Sequence, residues 1–549
     1  MLKEKVIWGA GINGGRFASG FGNNEISFFI DNDIRKNGCT FCGLKVYHPT
    51  KIGDSDWKKY YIYIPEIYYD EISHVLREKG LEEKKDYTIY GHTLSIRKEK
   101  ADDDFILFKE RLKQVDVNKR IPYFASHLKK HGYGNFIAHI SKLQEKYVII
   151  SEMIWSGLDD DREQINIPIV QAPIFADYET LIDAGEADSV RMFSEEEKKI
   201  IDEAVEHLRG YFPKESYQNC YYTVLMKYKY IKFVLDYFSC DKLICSDSVS
   251  VEHSILQKLC RERSIKVIYT HAGIIHGTLS MDAIGEVGES LPALVPERFN
   301  QLYVDFCDLS AAKSVKEYLV NSRLNRKVQP KNSISELLEK MDSSKRTVFF
   351  AGQNDVGSHM IPYTEITKSF YSPIFKSSIE AAIFLAKISE KNQWNFIYKP
   401  HPMYVHAEER DMLPPSACYI EYGDINDIID LSDVVVTILS TTCYDALVRD
   451  KAVVMLGYTQ AKGKGITYEA FQRDEIEDTI NDAIEFGLTT EMKENYIRHL
   501  AQLLKYYLYD NGENRPVRYG QSFPDSFDGF FKLYEMIGGE VDGIDKANA

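Results

Sequence analysis

Short apolar runs alternate with helical stretches over residues 345–515, and this rhythm constrains the fold more than any other feature of the chain. Strands that alternate with helices form a parallel sheet covered by helices on both faces. The rhythm therefore predicts an α/β unit of the Rossmann type. Its predicted strands are Thr347–Ala351, Asn395–Tyr398, Cys418–Glu421, Val434–Leu439 and Val453–Leu456.

The same alternation occurs twice before residue 345. The first stretch contains apolar runs and then a helical pattern, at Lys5–Ala10, Glu25–Ile30, Tyr60–Ile64 and Ile72–Lys79. The second stretch contains three further predicted strands, at Val148–Ser151, Lys242–Ser246 and Val267–Thr270. We therefore expect three successive Rossmann-like units.

Two polar stretches mark the predicted domain limits. Arg97–Asp104 is charged and Arg326–Ser333 is mostly polar, so both are interpreted as linkers. The predicted domains are residues 1–98, 105–335 and 345–515, and the tail 516–549 either returns to the second domain or frays. Open α/β sheets bind ligands outside the carboxyl ends of their strands, so a cleft between the second and third domains is expected.

The amino-acid composition limits the classes of partner that the protein is expected to bind. The 549 residues carry 67 Lys and Arg against 83 Asp and Glu, a net charge of −16. Nucleic acids and anionic lipid surfaces repel a net anion, so neither is expected as the main partner. The apolar runs are shorter than the ~20 residues that span a bilayer, and the chain starts with charged residues, so a cytoplasmic protein is predicted. Cys39 and Cys42 lack a second nearby pair, and no metal site is expected.

A glycine motif follows the first predicted strand. Gly9, Gly11 and Gly14 fit G-x-G-x-x-G, and Asp31 ends the second strand about 20 residues later. In dinucleotide-binding folds such glycines let backbone amides approach a pyrophosphate, and the acid binds ribose hydroxyls. The pattern predicts a Rossmann-like unit. It leaves open a nucleotide site, a docking or regulatory module, and an NAD-dependent oxidoreductase.

A stiff turn follows the predicted strand Asn395–Tyr398. Its sequence is Lys399-Pro400-His401-Pro402, in which the two prolines fix the backbone. A lysine and a histidine are therefore held at the carboxyl edge of the sheet, where Lys399 supplies charge and His401 a directional donor. The turn predicts a phosphate or nucleotide site, and a rigid surface turn with a solvated lysine is the alternative.

Three hydroxyl residues follow the predicted strand Val434–Leu439. Ser440, Thr441 and Thr442 stand at the start of a predicted helix, with Asp445 in its first turn. One hydroxyl is enough to cap a helix, and the others can donate to a phosphate at the helix N-terminus. Asp445 can cap locally or accept from sugar hydroxyls. A later loop, Lys462–Gly465, can either close over phosphates or stay solvated.

Further polar residues follow other predicted strands. Gln353 and Asp355 come after Thr347–Ala351, which places them at the same sheet edge, although Asn and Asp also favour simple turns there. In the second domain, Asp247 follows one predicted strand and His271 the next. These two residues are the candidate acid/base groups, and His276 is a second histidine nearby.

Together these motifs resemble the bacterial capsule polysaccharide biosynthesis glycosyltransferases, a group that includes the retaining Kdo (3-deoxy-manno-octulosonate) transferases. The similar elements, in order, are Gln353-x-Asp355, Lys399–Pro402, Ser440–Leu447, Leu456-Gly457 and Gly465–Thr467. The resemblance covers about residues 345–470, with weaker similarity over 240–290. Residues 1–98 look like the Rossmann-like domain often fused to bacterial surface-glycan transferases.

The resemblance implies a GT-B architecture, in which two Rossmann-like domains face each other across a cleft and the C-terminal one binds a nucleotide-sugar donor without a metal. It implies that Lys399, His401, Ser440, Thr441 and Thr442 hold the donor phosphate, and it favours a CMP-linked sugar. Asp445 stands where the family often has Glu. The implied acceptor is a glycan or lipid-linked glycan, which would bring the protein to the inner face of the cytoplasmic membrane.

Two alternatives remain open. CDP-glycerol phosphotransferases also carry a K-x-H-P turn and a serine-rich strand end, and a catalytically silent sugar-nucleotide-binding protein would need the same residues. Each alternative depends on one expected anion pocket, to which Lys399–Pro402 and Ser440–Thr442 contribute from neighbouring crossovers.

Overall fold

The computed structural model describes residues 3–19, 25–65, 69–83, 85–89, 94–116, 120–125, 130–151, 167–177, 180–185, 193–246, 250–324, 334–358, 360–401, 407–421, 423–512 and 517–537. The chain divides into two compact units. Unit 1 comprises Met1–Ser246 and Ser250–Ile265, and unit 2 comprises Asp247–Val249 and Lys266–Ala549. The predicted domain limits near residues 98–105 and 335–345 lie inside these units.

Unit 1 begins with a mostly parallel sheet. Its strands and helices are β1 (Glu4–Trp8), α1 (Ile12–Ser19), β2 (Phe28–Ile30), β3 (Thr40–Phe41), β4 (Leu44–Tyr47), β5 (Tyr60–Ile64), α2 (Tyr69–Glu78) and β6 (Tyr87–Ile89). The strand order is β3-β4-β2-β1-β5-β6, and only the short pair β3–β4 is antiparallel. The buried rings of Trp8 and Trp57 stack with centroids 5.5 Å apart in its core.

The rest of unit 1 contains a second parallel sheet. Its elements are β7 (Leu94–Arg97), α3 (Lys98–Lys113), β8 (Arg120–Ala125), α4 (Lys130–Ile140), β9 (Lys146–Ser151), β10 (Ile169–Gln171), β11 (Thr180–Asp183), α5 (Glu195–Tyr211), α6 (Tyr217–Phe238), β12 (Lys242–Cys245) and α7 (Val251–Glu262). Within this unit the parallel strands follow the order β10-β9-β8-β12. Strands β7 and β11 form a separate parallel pair.

The predicted linker at Arg97–Asp104 is wrong. Arg97 ends β7, and α3 begins at the next residue. The side chains of α3 that are buried recur every three or four residues and so share one face of the helix: Ala101, Phe105, Phe108 and Leu112. The charges that suggested a linker therefore belong to the first turns of an amphipathic helix. The other predicted linker, Arg326–Ser333, lies outside the described residues.

Unit 2 begins with an antiparallel strand pair and short helices. These are β13 (Lys266–Ala272), β14 (Thr278–Asp282), α8 (Leu291–Leu294), α9 (Pro296–Asn300), α10 (Phe306–Ser322) and α11 (Ser335–Lys340). His271 of β13 lies opposite Ser280 of β14. The strand is therefore two residues longer at its carboxyl end than the predicted Val267–Thr270.

A fully parallel sheet forms the centre of unit 2. Its elements are β15 (Thr347–Ala351), α12 (Glu365–Phe370), α13 (Ser378–Lys391), β16 (Asn395–Lys399), α14 (Ala407–Met412), β17 (Ala417–Tyr419), α15 (Ile425–Leu431), β18 (Val434–Thr437), α16 (Thr442–Val448), β19 (Ala452–Met455), β20 (Tyr468–Glu469) and α17 (Ile476–Phe486). The strand order is β17-β16-β15-β18-β19-β20. Alternate residues of β15 to β19 enter two apolar cores, one on each face.

The chain then returns to the strand pair with which unit 2 began. Helix α18 (Thr490–Gln502) runs into a π-helical turn, Leu503–Tyr507, and then into β21 (Leu508–Asp510), which pairs with β14. Beyond it Tyr519, Phe527 and Phe530 are buried, and α19 (Lys532–Met536) follows. The described part of the predicted tail is therefore packed.

The predicted α/β class, with several parallel sheets of the Rossmann type, is confirmed. The predicted strands of residues 345–515 all exist: β15 has the predicted bounds, and the bounds of the other four differ from the prediction by at most two residues. Among the described residues, no helix has both the length and the apolar character that a bilayer crossing requires.

Candidate functional site

The carboxyl edge of the central sheet of unit 2 carries three of the predicted motifs. Strands β16 and β18 flank β15, and Ala351 at the end of β15 is in register with Lys399 of β16 and Thr437 of β18. The three strands therefore end level with one another. The Lys399–His401 and Ser440–Thr442 segments leave this edge with β15 between them.

Lys399 is the last residue of β16 and is buried, with 4% of its surface exposed. Its amine donates to the backbone carbonyl of Glu421 at 3.1 Å, on the β17 side of the strand. Burial lowers the pKa of this amine to about 8, so it is still mostly protonated at neutral pH. The amine is thus a cation held by a neutral acceptor. His401 is half-buried, and Pro402 lies outside the described residues.

The hydroxyl triplet has an internal arrangement that a simple cap does not require. Ser440 Oγ accepts from the Thr442 amide at 3.3 Å and donates to Thr442 Oγ1 at 3.0 Å. Thr441 is the N-cap residue of α16, and within the described structure its side chain makes no capping hydrogen bond. Ser440 therefore closes the turn, while the half-exposed Thr441 hydroxyl is not used by the helix.

Gln353 and Asp355 are buried and join neighbouring segments. The Gln353 carboxamide oxygen accepts from the Leu439 amide at 2.8 Å. Both Asp355 oxygens are bound by Ser378, whose amide donates at 2.8 Å and whose hydroxyl donates at 2.6 Å. Burial raises the pKa of the Asp355 carboxyl to about 6, although the bonds from Ser378 oppose this shift. Both predicted ligands thus have partners within the protein.

Asp445 lines a small cavity in unit 2. The cavity is also lined by His276, Asn426, Tyr444 and Arg449. The Arg449 guanidinium donates to Asn426 Oδ1 at 2.9 Å and 3.2 Å, which fixes one wall. A volume of about 30 Å³ admits a water molecule or two but no sugar or nucleotide.

The loop Lys462–Gly465 is attached to neighbouring helices through Lys464. Lys464 is 6% exposed, and its amine donates to the carbonyls of Pro292 and Pro296 at 2.9 Å and 3.3 Å. Its ammonium lies 4.7 Å from the centroid of the Phe299 ring. Burial lowers its pKa to about 7. Lys464 therefore joins this loop to α8 and α9, while Gly463 and Gly465 are exposed.

Of the two predicted acid/base residues, His271 is described and Asp247 lies outside the described residues. His271 Nε2 lies 3.2 Å from Glu286 Oε2, and the His271 side chain is 44% exposed while that of Glu286 is 5% exposed. A buried carboxylate next to an accessible imidazole can orient the ring. Glu286 was missed in the sequence because it stands in a loop with no distinguishing pattern.

The acid of the N-terminal glycine motif, Asp31, has hydrogen-bond partners within the protein. Asp31 accepts from the Ala10 amide, the Asp33 amide and the Lys36 amine, each at 2.8 Å. The Lys36 amine also donates to the Ala10 carbonyl at 3.0 Å. The Lys36 amine and the Ala10 amide therefore share Asp31 Oδ2, while the Asp33 amide binds Oδ1.

The glycines of this motif have a packing role. A Cβ atom on Gly14 would overlap the carbonyl oxygen of Gly9, so α1 can lie against β1 only with glycine at this position. Gly9 itself has a φ of 126° and donates to the Ile30 carbonyl at 2.7 Å. Gly11 stands between them, in the turn that leads into α1.

Sequence reasoning missed two further side chains of the sheet edge. Ser378 follows Ser377, which caps α13 by accepting from the Glu380 amide at 3.2 Å. The second serine is in excess of what a cap needs, and that excess was a usable signal. Glu409 accepts from the Tyr398 hydroxyl at 3.0 Å, and burial raises its pKa to about 7. No sequence pattern indicated Glu409.

Comparison with known proteins gives similarities at the level of solved structures. No family model matches the chain, and no curated protein matches it. A KpsC from Thermosulfurimonas dismutans, described as a beta Kdo 2,7 transferase, is 18% identical, with 63% of this chain and 97% of that chain covered and a TM-score of 0.35. The S. aureus MnaA–UDP co-structure is 9% identical, covering 76% and 97%, with a TM-score of 0.32.

A third similar structure is CalG4, the calicheamicin glycosyltransferase. It is 10% identical, with 77% of this chain and 100% of that chain covered and a TM-score of 0.30. Identities and TM-scores this low do not assign a function to the chain.

Proposed function

We propose that the chain is a glycosyltransferase of the GT-B type, which transfers a sugar from a nucleotide-sugar donor to a glycan or lipid-linked glycan during bacterial surface polysaccharide synthesis. The observation that carries this proposal is the level carboxyl edge of β16, β15 and β18, where Lys399 and Ser440–Thr442 flank one strand end. Parallel α/β sheets bind nucleotides at such edges. The motif resemblance supplies the class of reaction and favours a CMP-linked sugar.

The leaving group of such a reaction is a nucleotide phosphate, whose negative charge must be stabilised. The Lys399 amine exchanges the neutral Glu421 carbonyl for an anion, which is a stronger acceptor. The Thr441 hydroxyl and His401 are further donors at the same edge. Since these groups are already positioned by strand ends, little reorganisation is needed when the bond to the sugar breaks.

The acceptor hydroxyl needs a base. His271 is the candidate, because its ring is accessible and its Nε2 lies beside the buried Glu286 carboxylate. Upon taking the acceptor proton the imidazole becomes a cation, and Glu286 stabilises that cation. Asp247 stays a second candidate for this half of the reaction. Peripheral contact with the membrane is proposed only for a lipid-linked acceptor.

Calorimetric titration with CMP, CDP, UDP, GDP and NAD tests the proposal. We expect CMP to bind the wild type, and Lys399→Met to weaken that binding about tenfold to a hundredfold, because a charge-assisted hydrogen bond to phosphate is lost. In Lys399→Met the rate at which CMP is released from CMP-Kdo in the presence of acceptor glycans should also fall.

Lys451→Met is the matched control. Lys451 precedes β19 at the opposite edge of the same sheet, and its amine also donates to backbone carbonyls, those of Asp430 and Ser432 at 2.9 Å and 2.8 Å. Nucleotide affinity should not change in this variant. Binding of CDP in place of CMP would favour a polyol phosphotransferase, and binding of NAD alone would exclude the proposed function.

A further inference from the structure

The segment that precedes Ser440 is held by a hydrogen bond to Gln353, which lies just beyond the end of β15. Thr437 is the last residue of β18, and the Leu439 amide lies beyond it, where the regular pairing of the strand has stopped. This amide donates to Gln353 Oε1, 86 positions away in sequence, at 2.8 Å. A buried backbone amide needs an acceptor, and Gln353 supplies it.

Both the backbone and the side chain of Gln353 are fixed by neighbouring residues. Its backbone amide donates to Ser378 Oγ at 3.2 Å, and Ser378 is anchored through its own amide and hydroxyl on Asp355. The Gln353 Nε2 contacts the Met360 sulfur. With 6% of its surface exposed, Gln353 is part of the protein interior. A continuous set of bonds thus runs from the first turn of α13 to the residue that precedes Ser440.

We propose that Gln353 is a positioning residue, which fixes the Leu439 amide and thereby the Ser440–Thr442 turn, and that it promotes nucleotide binding through this turn without contacting the donor. This replaces the expectation that Gln353 is a donor ligand. It rests on the proposed function and deepens it, because it states how the unliganded protein keeps the hydroxyl donors in place. Asp355 acts on Gln353 indirectly, because it binds Ser378, whose Oγ accepts from the Gln353 amide.

Hydrogen exchange and nucleotide binding together test the proposal. Gln353→Met keeps the side-chain length but removes the oxygen acceptor, so exchange of the amides at 439–442 should rise about tenfold, and CMP affinity should fall about tenfold. Gln353→Glu retains an oxygen acceptor and should restore most of the protection and of the affinity. A purely structural role would not distinguish these two variants at the 439–442 amides.

Asn395→Leu is the matched control. Asn395 is also a buried carboxamide that accepts a backbone amide from another segment, that of Asp342 at 3.0 Å, but it stands at the amino end of β16. Loss of this carboxamide should lower thermal stability as Gln353→Met does, while CMP affinity and hydrogen exchange at 439–442 remain those of the wild type.

A double-mutant cycle separates positioning from contact. In a Ser440→Ala background, Gln353→Met should cost much less CMP affinity than in the wild type, because both changes act on one turn. Fully additive losses would overturn the proposal, and so would unchanged exchange at 439–442 in Gln353→Met. If CMP, CDP, UDP and GDP all fail to bind the wild type, the proposed function fails, and the exchange data still decide whether Gln353 fixes the turn.

Discussion

Asp31 in unit 1 and Lys399 in unit 2 each stand at the carboxyl end of a parallel strand, beside a pattern typical of phosphate binding. Their partners differ. Asp31 is bound by two backbone amides and by the Lys36 ammonium, which satisfies its charge within the protein. Lys399 keeps its charge while bound to a neutral carbonyl. A sequence pattern therefore predicts the local backbone, and partners from elsewhere in the fold decide whether a charge is left for a ligand.

The largest expected effect tests the packing role of the N-terminal glycines. Gly14→Ala places a methyl group on the Gly9 carbonyl oxygen, so α1 must move off β1 and stability should fall by about 3 kcal/mol or more. Urea unfolding measures this loss. CMP affinity should be that of the wild type in whatever fraction stays folded. A loss of CMP binding without a loss of stability would show that the comparison between the two regions is wrong.

The next effect concerns Asp355, a buried carboxyl at the sheet edge of unit 2. Its pKa is raised to about 6 in the folded protein, so the folded state binds a proton more tightly than the unfolded chain. The resulting stabilisation is complete below the unfolded pKa near 4 and is lost as the pH rises through 6. Between pH 4 and 7 the wild type should lose roughly 2 kcal/mol more than Asp355→Asn, measured by urea unfolding. If the free energy of unfolding changed equally with pH in the wild type and in Asp355→Asn, this prediction would be contradicted.

A smaller effect follows from the lowered pKa of Lys399. The protonated amine binds phosphate, and its pKa of about 8 means that the charge is lost as the pH rises above 8. CMP affinity should fall about eightfold from pH 7.5 to pH 9, as the protonated fraction falls. Lys399→Arg keeps its charge over this range and should show no such fall. A wild-type affinity that is independent of pH would mean that another group holds the phosphate.

The smallest effect is expected for Lys36→Met, which frees the Asp31 carboxylate from its ammonium partner. The pair is 2.8 Å long but the Lys36 side chain is 39% exposed, so stability should fall by about 1 kcal/mol or less. NAD titration should give no binding before or after the change. If NAD binds only in the variant, Lys36 excludes a dinucleotide that the site could otherwise accept, which would sharpen the contrast with Lys399.

Sequence patterns predicted the parallel sheets because apolar runs are a local signal. Helix α3 was missed because its first seven residues, Lys98 to Asp104, are charged except for Ala101, while the buried face that identifies it continues to Leu112. Strand β21 was missed because three residues carry too little periodicity, and its pairing with β14 depends on the folded unit.

At the candidate site, the sequence predicted which residue types stand at the carboxyl edge of the sheet. It did not predict the hydrogen-bond partners of those residues. The bond from Leu439 to Gln353 and the attachment of Lys464 to Pro292 and Pro296 join residues 86 to 172 positions apart. Such contacts depend on how segments pack, which no short pattern encodes. Gln353 and Lys464 thus have partners within the protein that the sequence patterns did not indicate.

The late pairing of β21 with β14 has a consequence for biosynthesis. On the ribosome β14 emerges more than two hundred residues before the strand that covers its edge, because Thr278–Asp282 must wait for Leu508–Asp510. An uncovered strand edge is a template for pairing with other chains. Nascent chains that stop short of residue 508 should therefore be aggregation-prone and dependent on chaperones, whereas completion of the polypeptide closes this edge from within.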